Sequence, residues 1–263
     1  VLPATAYMDM AMAAATKALE HSGSSIQLEM AFQQALFLPE NGSRTVQLIH
    51  YPMTSGGASF QVFSLPVGEG NGKGAWTLHA SGKFRLSQLN TARLAQEQAS
   101  LKEIRARCQE EISTSELYQR LRDSGLQYGP AFQGIKRLWQ GVGEALGLVE
   151  LPPTFESGAD AYHIHPALLD ACLHVIAATL PDQRAYTDAG DTYLPSEVEN
   201  LRLRDRDLPR PSKRLWSHAV LRPATALNTD TLQADIRLYN EAGQVVVEIL
   251  GLRLVRLGRD TQP

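Results

Sequence analysis

The chain has 263 residues, 43% of them hydrophobic and 20% charged, with a formal net charge of −3 at neutral pH. This is enough to bury a sizeable core, as one large domain or two small ones, and the composition is that of an ordinary soluble globular protein. The slight acidity and the lack of any basic cluster interleaved with aromatics argue against a nucleic-acid surface, while two cysteines, Cys108 and Cys172, make neither a disulfide framework nor a metal set and fit a reducing, cytoplasmic setting.

Val1-Leu2-Pro3 runs straight into a predicted helix over Ala4–His21, with Pro3 as the entry residue and Gly23 as the stop. So abrupt a start implies sequence upstream of Val1. The Ala/Met-rich stretch Ala11–Ala15 is too short to span a membrane and is flanked by Asp9 and Lys17, and no basic n-region marks a signal peptide. Strands then follow. Gln27–Leu38 alternates at Leu28, Met30 and Phe32 before an apolar end at Ala35–Leu38. Thr45–Tyr51, Ser59–Leu65 and Ala75–Leu86 continue the pattern, punctuated by Pro39-Glu40-Asn41-Gly42, Ser55-Gly56-Gly57 and the glycine-rich Gly68–Gly74. One apolar helix followed by antiparallel strands is half of an α+β sandwich.

Ser87–Arg107 is polar, charged and helix-favouring and reads as a connector or a surface helix. Ser113-Thr114-Ser115-Glu116 fits a capping box that opens a short helix ending at Gly125. Strands return at Gly134–Gln140, Glu144–Leu151, Glu197–Leu203, Arg214–Arg222, Leu232–Tyr239 and Gln244–Val255, with Glu241-Ala242-Gly243-Gln244 as the last hairpin turn. The second half thus repeats the element order of the first, without sequence identity between them. The chain divides into a first unit over 1–90, a connector over 91–125 and a second unit over 126–263.

Between the second and third of these strands lies the most informative stretch. Pro166 suits the first turn of a helix. Ala167, Leu168, Leu169, Ala171, Cys172, Leu173, Val175, Ile176, Ala177 and Ala178 make that helix apolar nearly all round, hence buried. Asp170 sits inside it, where desolvation disfavours a charged carboxylate. His174 lies one turn on, on the same face. Taken alone, this pattern also suits a buried aspartate serving as a hydrogen-bonded strut.

Several segments together resemble the dehydratase domains of modular polyketide synthases. They are Gly125-Leu126-Gln127-Tyr128-Gly129-Pro130-Ala131-Phe132-Gln133-Gly134, His165-Pro166-Ala167-Leu168-Leu169-Asp170-Ala171, Trp76–Gly82, Tyr193-Leu194-Pro195-Ser196 and Val1–Tyr7. Pro3 matches the last residue of the family's His-xxx-Gly-xxxx-Pro motif. The resemblance implies a double hotdog fold, each half a central helix wrapped by an antiparallel sheet, with a substrate tunnel between the halves. It implies a hydro-lyase that removes water from a β-hydroxyacyl thioester to give an α,β-unsaturated chain. The acyl chain is carried by the phosphopantetheine of an acyl carrier protein, and neighbouring synthase domains and a homodimer are expected. Asp170 matches the family's catalytic aspartate, the general acid, and His174 the Gln or His that orients it. The family's histidine base falls nine positions before Pro3, ahead of Val1, and none of the seven histidines in this chain takes its place.

Tyr128 is placed to reach the carboxyl or the substrate from the tunnel wall, or simply packs a turn. The resemblance puts Pro3 and Ala4 in the tunnel; near Ala4 and Thr5 the helix start offers unpaired N–H groups to the thioester carbonyl, or is a plain cap. Met8, Met10 and Met12 line core or tunnel. His165 and His79 read as structural, and no histidine spacing suggests a metal site. Lys102, Arg105 and Arg107 form a solvated face or meet an acidic carrier protein. Elimination moves only protons, so no cofactor and no metal are expected. On the same fold, a double-bond isomerase or an oxa-Michael cyclase are alternatives, as is an inactive carrier-docking module.

Overall fold

A computed structural model describes residues 1–19, 25–39, 41–54, 56–65, 75–87, 99–180, 192–203, 213–223 and 230–257. Helix α1 (Ala4–Ala18) starts from extended Pro3 and buries Thr5, Tyr7, Met8, Asp9, Ala11, Met12 and Ala15. Those positions recur every three or four residues, so one broad face of the helix is sealed. The strands around it are β1 (Ser25–Phe32), β2 (Thr45–Pro52), β3 (Ala58–Leu65) and β4 (Thr77–Ser87). In β3 the alternation is strict: Ala58, Phe60, Val62 and Ser64 face inward, and their neighbours are half-buried.

The connector carries α2 (Leu101–Arg107), β5 (Glu110–Ile112) and α3 (Thr114–Asp123). Ser113 caps α3 by accepting the Glu116 N–H, as the sequence predicts, but the reciprocal capping box forms at α2, between Ser100 and Glu103. Gly125, at φ +96°, turns the chain out of α3. The second half comprises β6 (Ile135–Gln140), β7 (Glu144–Glu150), α4 (Pro166–His174), β8 (Thr192–Leu203), β9 (Arg214–Leu221), β10 (Thr231–Tyr239) and β11 (Val245–Leu257). A 3₁₀ segment over Val175–Ala178 extends α4.

All these strands join one 11-stranded sheet in the order β2-β3-β4-β1-β8-β11-β10-β9-β7-β6-β5. Every pairing in it is antiparallel. The halves meet where β1 pairs with β8, with Ile26 opposite Leu203 and Met30 opposite Val198. Helix α1 packs on β1–β4, α4 on β7 and β9, and the two helices touch each other. The result is two helices, each wrapped by its share of a continuous sheet.

The expected first strand stops six residues early. After Phe32 the chain leaves the ladder: the Gln33 N–H donates to the His79 carbonyl and the Leu36 carbonyl accepts from Leu2. The apolar end at Ala35–Leu38 therefore buries Leu36 and leaves Phe37 and Leu38 half exposed. The strand expected at Glu197–Leu203 begins at Thr192, and β5 has no counterpart in the sequence reading. The expected stop at Gly23, the turn at Gly68–Gly74 and most of the Ser87–Arg107 connector lie outside the described residues.

Candidate active site

Helix α4 begins as its sequence dictates. Pro166 occupies the first turn, and His165 is the N-cap, its Nδ1 accepting the Ala167 N–H at 3.2 Å. Burial holds the His165 imidazole below its ordinary pKa. This histidine serves helix entry. Along α4, Ala167, Leu168, Leu169, Ala171, Cys172, Leu173 and His174 are buried, and burial pushes the Cys172 thiol far above its ordinary range. The sheet meets the helix closely. A Cβ on Gly134 would lie 2.9 Å from the Ala171 methyl, and one on Gly147 would lie 2.5 Å from Val175 Cγ2. On β9, the Ser217 hydroxyl donates to the Cys172 carbonyl at 2.8 Å, satisfying one of the helix's terminal acceptors.

The Asp170 side chain is 13% exposed and that of His174 is 5% exposed. His174 Nε2 lies 3.1 Å from Asp170 Oδ2. The other ring nitrogen, Nδ1, is buried with no hydrogen-bond partner among the described residues. A proton on Nδ1 would be a donor with nowhere to go, whereas a proton on Nε2 is accepted by the carboxyl. The geometry therefore favours the Nε2–H tautomer, donating to Asp170. Two tyrosines enclose the imidazole. The Tyr128 ring lies with its centroid 3.9 Å away, tilted by 44°, and the Tyr118 ring stands edge-on at 5.9 Å. The turn that carries Tyr128 is tied by Gln133 Nε2, which donates to the Tyr128 carbonyl at 2.8 Å.

Pro3 and Ala4 form the start of α1, which no side chain caps. Thr5 turns its hydroxyl outward instead and donates to the Pro166 carbonyl at 3.0 Å, so the N-termini of the two central helices are joined. A turn further on, Asp9 Oδ1 accepts the His163 N–H at 3.1 Å, and His163 Nε2 lies 3.0 Å from Thr16 Oγ1. Of the residues singled out in the sequence, Asp170, His174 and Tyr128 thus come into contact. Thr5, next to Ala4, ties the start of α1 to that of α4.

Sequence reasoning did not find Tyr118, Asp9 or His163 as parts of this region. Tyr118 lies with Leu117 and Leu121 on the buried face of α3 and reads as core. His79 is structural: its Nδ1 reaches the Gln34 carbonyl at 2.9 Å and its Nε2 the Ser64 hydroxyl at 2.8 Å. Arg107 is engaged with Glu144, and Arg105 lies over the Trp139 ring. Among the described residues no three His, Cys, Asp or Glu side chains are grouped to hold a metal, and no helix is long and apolar enough to cross a membrane. A small open cleft lies beside α3, lined by Leu117, Leu121, Ala177 and Leu180 with Arg120 and Gln140; it does not include Asp170.

The family described as "Polyketide synthase dehydratase N-terminal domain" matches residues 96–263, and the one described as "Polyketide synthase dehydratase domain" matches residues 1–65. The chain belongs to the polyketide synthase dehydratase family. Polyketide synthase GfsE of Streptomyces halstedii is 34% identical over 175 residues, which cover 66% of this chain and 4% of that synthase. The chain thus spans only a few per cent of the curated synthases it matches. Among solved structures, the dehydratase domain of the CurF module of curacin polyketide synthase superposes with a TM-score of 0.80 at 30% identity, covering 97% of this chain and 84% of that one. The CurK dehydratase gives 0.81 at 29% identity, covering 98% and 84%. Two structures of CurK are of variants described as inactive, one with a histidine changed to phenylalanine and one with an aspartate changed to asparagine. The dehydratase fold here is accordingly an α+β double hotdog.

Proposed function

We propose that this dehydratase domain removes water from a β-hydroxyacyl thioester carried on the phosphopantetheine arm of an acyl carrier protein, with Asp170 as the proton donor. The observation that carries the reading is the placement of Asp170: a mostly buried carboxyl in an apolar helix, hydrogen-bonded to a buried imidazole on one oxygen. Elimination has two demands. The α-proton needs a base, and hydroxide, a poor leaving group, needs a proton. His174 Nε2–H donating to Oδ2 leaves Oδ1 to carry the acid proton towards the β-hydroxyl. The inactivity of CurK variants that lack a histidine or an aspartate supports a two-group mechanism of this kind. No residue of this chain is assigned as the base for the α-proton, since none of its seven histidines matches the family's histidine.

The start of α1 at Pro3 and Ala4, with no side-chain cap, is assigned to the tunnel, where the N–H groups of Ala4 and Thr5 in its first turn polarise the thioester carbonyl as enolate charge develops. Tyr128 forms the wall beside His174. The carrier protein, neighbouring synthase domains, a homodimeric assembly and a cytoplasmic setting belong to the same proposal, supported by the modular synthases among the relatives.

The test is Asp170→Asn in the full-length protein, with the carrier-bound acyl chain followed by mass spectrometry. The isosteric amide keeps the fold and loses the acid. Dehydration is expected to fall by about 10²–10⁴-fold, the usual worth of one positioned proton transfer. Unchanged water loss rejects Asp170 as the donor.

A further inference from the structure

Tyr118 joins the parts of the site that have to stay in register. It sits on the buried face of α3 and is 6% exposed. Its hydroxyl accepts the N–H of Ile135, the first residue of β6, at 3.3 Å. That N–H lies beyond the reach of the short strand β5, which pairs only with Leu138–Gln140 of β6. The preceding residue, Gly134, lies close against α4: a Cβ there would meet the Ala171 methyl, next to Asp170, at 2.9 Å. The same tyrosine ring stands edge-on to His174, at 85°. One side chain therefore touches both the strand start that seats the Asp170 turn and the imidazole that holds the Asp170 carboxyl. The phenol stays neutral, because burial drives its pKa far above the ordinary value.

We propose that Tyr118 is a positioning residue for the acid: anchored on Ile135, its ring edge confines His174 to the orientation that aims Nε2 at Asp170 Oδ2. Tyr128 covers the ring from its other contact at 3.9 Å, so once Tyr118 is displaced the imidazole gains freedom to turn about its Cβ–Cγ bond. A turned ring presents Nδ1 or a carbon to the carboxyl, and the acid loses the donor that fixes which oxygen carries its proton.

The inference rests on the Asp170 reading above, and the test separates the two. In the full-length protein, kcat and KM for dehydration of a β-hydroxyacyl pantetheine thioester are measured for the wild type, Tyr118→Phe, His174→Ala and the double variant. Tyr118→Phe is expected to lower kcat about tenfold with KM changed less than twofold. Because Tyr118 acts through His174, the same substitution should cost less than twofold in the His174→Ala background. Leu117→Ala, which loosens α3 at a neighbouring position away from His174, should cost the same in both backgrounds. Should Tyr118→Phe fail to fold, Tyr118→Gln takes its place with the same expectation, since its amide oxygen keeps an acceptor for Ile135 but removes the ring. Equal losses from the Tyr118 substitution in both backgrounds, or no loss in either, overturn the proposal. If Asp170→Asn abolishes dehydration while the cycle is additive, only the Tyr118 role falls; if Asp170→Asn leaves dehydration intact, the assignment of the acid itself fails.

Discussion

His174 commits one nitrogen to Asp170 and buries the other without a partner among the described residues, so what the site asks of this position is a single well-aimed donor. That requirement has a consequence. His174→Gln retains an N–H able to reach the carboxyl and is expected to keep dehydration within about threefold of wild type, whereas His174→Ala removes the donor and should cost about tenfold, the equivalent of roughly 1.4 kcal/mol. Steady-state kcat on a carrier-bound hydroxyacyl substrate measures both; an alanine loss as large as that of Asp170→Asn would mean that the roles are exchanged. The Asp170–His174 spacing was legible because i and i+4 share a helix face whatever the tertiary fold. Tyr118, Asp9 and His163 were not legible. Their partners lie 17 residues away for the Tyr118–Ile135 bond and 154 residues away for the Asp9–His163 bond, and nothing periodic links them. Tyr128 was legible only through its motif; that its ring lies against His174 needs the fold.

Elements meet closely where a side chain is missing, and that can be tested by adding one. Gly147 on β7 leaves room for Val175, and an alanine there would put its Cβ 2.5 Å from Val175 Cγ2. Gly147→Ala is expected to destabilise the domain by about 1–3 kcal/mol, as overpacking does, while Gly129→Ala, whose Cβ meets nothing within 4 Å, should not. Urea midpoints of the two variants decide this, and equal midpoints would show that the extension of α4 yields at no cost. A second element contact is electrostatic. Arg107 of α2 forms a two-point bond with Glu144 of β7 at 2.7 and 2.9 Å, and Glu144 also meets His218 of β9 at 2.7 Å. The Arg107 bond, with a smaller part from His218, holds the Glu144 carboxyl below its ordinary range despite partial burial. The His218 imidazole is itself held low, burial outweighing the attraction of Glu144. Both folded-state values are depressed, so both stabilising contributions are complete at neutral pH. That of His218 is lost as pH falls from about 6.5 through its folded value, and that of Glu144 as pH falls from about 4.3 through its own. Urea midpoints of the wild type should therefore decline in two stages on acidification, and Glu144→Gln should flatten the lower one; an unchanged acid slope in that variant would remove Glu144 from the account. The elements themselves were largely legible, since period-2 and helical patterns are local. β5 was missed because three residues carry no period, and the end of β1 was misplaced because Ala35–Leu38 is apolar yet has no strand beside it.

The whole molecule hangs on one seam. No repeat or pattern announces that β1 and β8 pair, yet that ladder turns two helix-and-sheet halves into a single sheet, reinforced by the bonds from Thr5 and Asp9 of α1 to the chain leading into α4. Leu28 and Leu201, opposite each other across the seam, are fully buried, so neither half can open there without exposing core that belongs to both. Cooperative unfolding of the halves follows, even in a chain longer than most two-state domains. The tryptophans make this measurable. Trp139 and Trp216 stack at 5.8 Å in the second half, and Trp76 stands at 45% exposure just before the first half's last strand, where phenylalanine can replace it. In a Trp76→Phe background, emission reports on the second half alone. Phe60, on β3 in the first half, is 1% exposed, and Phe60→Ala should cost about 3–5 kcal/mol. With the halves coupled, that loss appears in full in the urea transition of Trp139 and Trp216, which still coincides with the far-ultraviolet circular dichroism. A second-half transition that stays at its wild-type midpoint while half of the dichroism is lost earlier would show that the seam does not bind the halves into one folding unit.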